Sequence, residues 1–105
     1  MIYKFKSKAA ADLVMLEKTG QQILSIIGKQ GTQGIVIASE QGAAMSAIEA
    51  AIADEERLRK EAEAEAAKEG RKLPPPGITL RARAWPFVEM LKASQKENTD
   101  VTWGA

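Results

Sequence analysis

From Asp54 to Glu69 the chain is Glu, Ala, Arg and Lys almost throughout, and Leu58 is its only large apolar side chain. A segment of about sixteen residues with nothing to bury cannot contribute to a core. The core therefore gains little from it and rests mainly on the residues before and after it. The block itself is strongly helix-forming. Glu55–Arg59, Glu56–Lys60 and Arg57–Glu61 set opposite charges four residues apart, as an exposed helix prefers. Gly70 ends it, and Pro74-Pro75-Pro76-Gly77 makes a stiff, non-helical connector. The expectation is one domain over 1–105, with 54–77 as an exposed charged helix extension and Pro-rich linker that folding does not need.

The N-terminal part alternates. Tyr3 and Phe5 fall on one side of Ile2–Lys6, and Ile2, Lys4 and Lys6 on the other, which predicts a half-buried strand. With Ser7–Ala11 as a loop and Leu13-Val14-Met15-Leu16 as a second apolar run, a β-hairpin follows; a helix from Ala9 onward is the competing reading. Leu16, Gly20, Ile23, Leu24 and Ile27 then form a helical stripe. Thr19 and Gln22 are spaced as a capping box, with the helix start a turn earlier as the alternative, and Gly28 sits where a C-terminal cap belongs. Ile35-Val36-Ile37 is extended, either a strand or a buried connector. Ser39 is placed to cap a second helix, whose apolar face is Ala44, Met45, Ile48, Ala51 and Ile52.

Beyond the connector, Thr79 can cap a last helix with a stripe of Leu80, Ala84, Phe87, Val88 and Leu91. Pro86 lacks an N–H and crowds the carbonyl of Ala82, which predicts a kink or a late helix start. Lys96–Asp100 is a polar turn, and Val101-Thr102-Trp103 alternates as a strand that can join the N-terminal hairpin. The fold class is α+β: a small antiparallel sheet, N-terminal hairpin plus C-terminal strand, packed against about three helices, with a protruding charged helix.

Two blocks also carry a family resemblance. One is Phe5-Lys6-Ser7-Lys8-Ala9-Ala10-Ala11-Asp12, followed by Val14-Met15 and a helix ending Ile26-Ile27-Gly28-Lys29. The other is Arg83-Ala84-Trp85-Pro86-Phe87 with Met90-Leu91, closing on Asp100-Val101-Thr102-Trp103-Gly104. Together they resemble, from end to end, a family of small bacterial proteins known as domain of unknown function 1840. In that pattern the position of Trp85 is often Phe, and the middle linker varies. The resemblance implies a small bacterial cytoplasmic protein and brings no activity, cofactor or catalytic residue with it.

Composition narrows the chemistry. There is no cysteine and no histidine, which excludes disulfides, thiolate catalysis and imidazole acid–base or metal chemistry. The acidic residues Asp54, Glu55, Glu56, Glu61, Glu63 and Glu65 stand among Arg57, Arg59 and Lys60, so they read as a solvated face, not a cation site. Gly28, Gly31 and Gly34 lack the Lys-Ser/Thr of a phosphate loop. The expectation is therefore no enzyme, no cofactor and no metal. The formal charge of +1 gives no global attraction for nucleic acid. No apolar run reaches the ~20 residues of a spanning helix, and no signal-peptide pattern opens the chain, so the expected location is the cytoplasm with no membrane contact.

What remains is an interaction surface. Lys4 and Lys6 on the strand, with Lys8 nearby, and Arg81 and Arg83 at the start of the last helix would form a basic patch if they meet. Both tryptophans are expected to complete the core; alternatively Trp85, within reach of Arg81 for a cation–π contact, is an exposed aromatic at an interface. The leading reading is a non-enzymatic interaction or structural module that self-associates or binds a protein partner. The alternative is a nucleic-acid-associated protein using the basic patch.

Overall fold

The computed structural model describes residues 2–104; Met1 and Ala105, the two ends of the expected domain, lie outside them. Strand β1 (Ile2–Ser7) pairs antiparallel with β2 (Ala10–Leu16), Tyr3 opposite Met15 and Phe5 opposite Leu13. The turn between them is only Lys8-Ala9, not the loop expected over Ser7–Ala11. The reason is that Ala10 and Ala11 continue the strand, and the Ser7 hydroxyl accepts the Ala9 N–H at 3.1 Å. A register shift between Phe5 and Ser7 puts two β2 residues opposite Lys6, a bulge.

Helix α1 (Glu17–Ile26) follows β2 directly. Gly20, Ile23 and Leu24 are buried as the stripe requires. Leu16 is not: it occupies the N-cap position with extended backbone and is 73% exposed. The strand's alternation carries it to the outer face before the helix begins. Thr19 lies inside the helix, and no side chain caps it. At the other end Gly28 adopts φ +76°, and the Lys29 N–H reaches the Leu24 carbonyl at 2.8 Å.

The apolar Ile35-Val36 segment is a true strand, β3 (Gly34–Val36). Ser39 does not cap the next helix. A 3-10 turn over Ala38–Glu40 intervenes, and the Glu40 carboxylate accepts the Ile37 N–H at 3.2 Å. Helix α2 (Gln41–Lys68) then runs 28 residues, about 42 Å at 1.5 Å per residue, and sets the 51 Å long axis of the molecule. Gln41 is fully buried and ties α2 to β3 and to the loop at Thr99: its amide donates to Val36 O at 3.3 Å and Thr99 O at 2.8 Å.

Helix α3 (Leu80–Lys96) starts at Leu80 and continues through Pro86, so the late start does not occur. Its first turn is held twice. Thr79 Oγ1 accepts the Ala82 N–H at 3.2 Å, and Glu55 Oε1 accepts the Leu80 N–H at 3.1 Å. Glu55 is thereby taken from the helix pairing with Arg59 that its spacing suggested. Strand β4 (Val101–Trp103) pairs with β1 and β3, giving the antiparallel order β2-β1-β4-β3. The α+β architecture, with the chain ends joined in one sheet, is as the alternation of Tyr3/Phe5 and Val101/Trp103 predicts.

The three helices cover one face of the sheet. Phe5 is the centre of the core: its ring lies 4.9 Å from Phe87 edge-on and 6.0 Å from Trp103. Trp103 is buried with its Nε1–H donating to Gly31 O at 3.2 Å. Gly34 lies under the Trp103 ring and Gly20 under Tyr3, each so close that a β-carbon would collide with the aromatic.

Candidate functional site

The residues singled out as an interaction surface do not form one patch. Tyr3 and Phe5 face the helices, so Lys4 and Lys6 point to the opposite, uncovered face of the sheet. Arg81 and Arg83 belong to α3, which packs on the covered face. The two pairs are separated by the sheet itself.

Three of the four cations are also engaged. Lys4 lies 3.5 Å from Asp12. Arg81 grips Glu56 with two hydrogen bonds of 3.1 Å, in place of the Glu56–Lys60 pair that helix spacing suggested. That guanidinium holds the Glu56 carboxyl below its usual range, and the carboxylate raises Arg81 in turn. Arg83 donates to Gln22 Oε1 and Thr79 O and stands 4.0 Å from Glu55. Lys6 alone has no ion pair among the described residues. A nucleic-acid surface needs several free cations converging on one phosphate track, and this arrangement does not supply it.

Trp85 is 49% exposed and so is not the core residue expected. It falls one position off the buried stripe of α3, and Phe87, Val88 and Leu91 fill the space beneath. The cation over its ring is Lys92, at 5.3 Å, because Arg81 is committed to Glu56. The acidic run is likewise spent in ion pairs: Asp54 and Glu61 on Arg57, and Glu63 on Arg59.

The surface that the residue-by-residue reading missed is the uncovered face of the sheet. Cross-strand neighbours Ile2 and Leu16 stand together at one corner with Val14 beside them, and all three are more than half exposed. Next to that corner lies the Lys4–Asp12 ion pair. The signal was present in the alternation, since placing Tyr3 and Phe5 inside forces Ile2 outside. The difficulty was Leu16, which satisfied the helical stripe equally well.

The sequence pattern of the family described as Domain of unknown function (DUF1840) matches residues 1–103. The chain belongs to this family. Among curated proteins and solved structures no match is found. For this DUF1840 member no site is therefore inherited from a relative. Among its described residues no helix is long and apolar enough to cross a membrane.

Proposed function

We propose that this chain is a non-enzymatic interaction module of the bacterial cytoplasm that works as a homodimer, two copies packing uncovered sheet face against uncovered sheet face. Leu16 carries the reading. It occupies the N-cap of α1, a position where Ser, Thr, Asp or Asn stabilises a helix by roughly 1 kcal/mol. The chain places an exposed leucine there instead, a cost to the monomer that a contact made by that side chain offsets. Ile2 and Val14 widen the same apolar corner.

The occupant is a second copy because the surface is complementary to itself. Beside its apolar corner each copy sets the Lys4–Asp12 pair, with Lys6 further along β1 as a second cation that a mate's Asp12 can also meet. A two-fold mate brings Asp12 toward Lys4 and apolar corner onto apolar corner, the isologous arrangement of a C2 dimer. The net charge of +1 leaves little repulsion between copies. Stacked sheets about 10 Å apart interdigitate such side chains. Edge-to-edge pairing through β2 is disfavoured by the bulge opposite Lys6 and by the charge of Asp12.

Sedimentation velocity over a concentration series is the test. The expected result is a species of twice the 11.4 kDa chain mass that falls apart on dilution, with Val14→Gln shifting the dissociation midpoint upward by about tenfold. A monomer at every concentration up to roughly 1 mM overturns the proposal, as does a dimer indifferent to Val14→Gln.

A further inference from the structure

On the helix side of the sheet, away from the dimer surface, a cleft of about 540 Å3 opens between the C-terminal half of α1 and the loop that follows it. We infer that this cleft is a binding site for a small neutral polyhydroxy molecule, of sugar or polyol chemistry. The inference is independent of the dimer.

The size is right for a ligand the scale of a mono- or disaccharide. The polar groups around it are all uncharged save one: Tyr3, Gln21, Ser25, Gln30 and Thr32 supply three hydroxyls and two amides. Their hydrogen-bonding capacity is largely unspent. Gln21 makes a 3.4 Å contact to Glu17; the side chains of the other four have no hydrogen-bond partner among the described residues. Tyr3 is the telling member. It is only 4% exposed and its ring lies over Gly20, while its hydroxyl stays within reach of solvent and so of a ligand. Here the hydroxyl belongs to a residue that lines the cleft.

Charge decides the class. No carboxylate lines the cleft, so a cation would find no charged ligand there. The single cationic side chain, Lys29, is held by both oxygens of Glu40 at 3.2 and 3.3 Å. The cleft lies at the C-terminal, negative end of the α1 dipole, which opposes an anion. Hydroxyls and amides that can donate or accept match a ligand that does both. The loop keeps the space open: Gly28 and Gly31 adopt φ of +76° and +93° and carry no side chain into it.

Amide-resolved NMR titration of the full chain tests this, with glucose, N-acetylglucosamine and myo-inositol as probes and sodium sulfate and N-methylacetamide as comparators. Saturating shifts confined to Gln21, Ser25 and residues 28–32 are expected for at least one polyol. Tyr3→Phe keeps the ring on Gly20 and removes only the hydroxyl; it should weaken that binding about 3–10-fold, the worth of one hydrogen bond. Ser25→Leu lies on the exposed side of α1 and fills the cleft without touching the core, so it should abolish the response while the spectrum elsewhere is kept. The inference is overturned if no polyol saturates by roughly 50 mM, far above a millimolar constant. It is also overturned if sulfate or N-methylacetamide binds the same amides more tightly, or if Ser25→Leu responds like the wild type.

Discussion

Along β1 the inner side chains Tyr3 and Phe5 are almost completely buried, while Ile2, one residue away on the other face, is 55% exposed. Both faces carry apolar residues, so hydrophobicity alone does not separate them. What separates them is the supply of helices. α1, α2 and α3 all pack on the Phe5 side, where Phe87, Leu91, Ile48 and Ile23 close over the sheet. The outer face receives none, and Ile2, Val14 and Leu16 remain in water. Stability is therefore concentrated on one face, and the other is free to carry an interaction.

The contrast is sharpest at the inner face. Phe5→Ala should cost about 3–5 kcal/mol, the range for emptying a buried aromatic, and truncation after Thr102 should cost a similar amount because Trp103 leaves a void beside it. Urea unfolding measures both. A loss below roughly 1 kcal/mol for either variant would mean that the chain ends are not joined through this cluster.

The arm beyond the core should matter much less. Beyond Ile52, Leu58 is the only large apolar residue of α2 and it is exposed; Ala66 is buried, against the expected fully exposed extension, but stands outside the core cluster, and the returning linker is tied by the Arg59 guanidinium to Pro74 O at 2.7 Å. Replacing residues 57–77 by a short Gly/Ser linker, with Glu55 and Glu56 kept to hold the start of α3, should change stability by less than about 1 kcal/mol, as exposed ion pairs contribute little. Loss of cooperative unfolding would show that the arm is part of the core.

The smallest effect concerns Glu40. Its carboxyl is held below the usual range first by the Ile37 N–H and then by Lys29. A carboxyl lowered by folding adds stability above its unfolded pKa and loses it as pH falls through the folded one. Glu40→Gln should therefore lower the urea midpoint slightly near neutrality, and the gap to wild type should close in acid. A gap that persists at low pH would place the contribution in packing.

Much of this was legible in the sequence because period and position agreed. The α3 stripe from Leu80 to Leu91, the Thr79 cap, the Gly28 terminus and the strand at Val101–Trp103 each satisfy one pattern only. The failures fall where two patterns competed or a partner was distant. Leu16 fitted both a strand and a helix stripe, and the strand prevailed. Glu55 and Glu56 had good partners four residues away, but the unsatisfied Leu80 N–H and Arg81, 25 residues on, took them. Trp85 read as core from residue type alone, whereas helical phase put it outside. Nothing local marked the Tyr3 cleft, which needs the Gly28–Thr32 loop folded beside α1.

The central claim is that the outer face gives up monomer stability for association, and Leu16→Asp tests it in one protein. Aspartate at this N-cap can accept an α1 amide while removing the most exposed apolar side chain of the corner. Unfolding and sedimentation would be measured on the same samples. The prediction is a monomer more stable by about 0.5–1 kcal/mol, together with a dimer at least about tenfold weaker. A destabilised monomer, or a self-association unchanged by the substitution, would contradict the account.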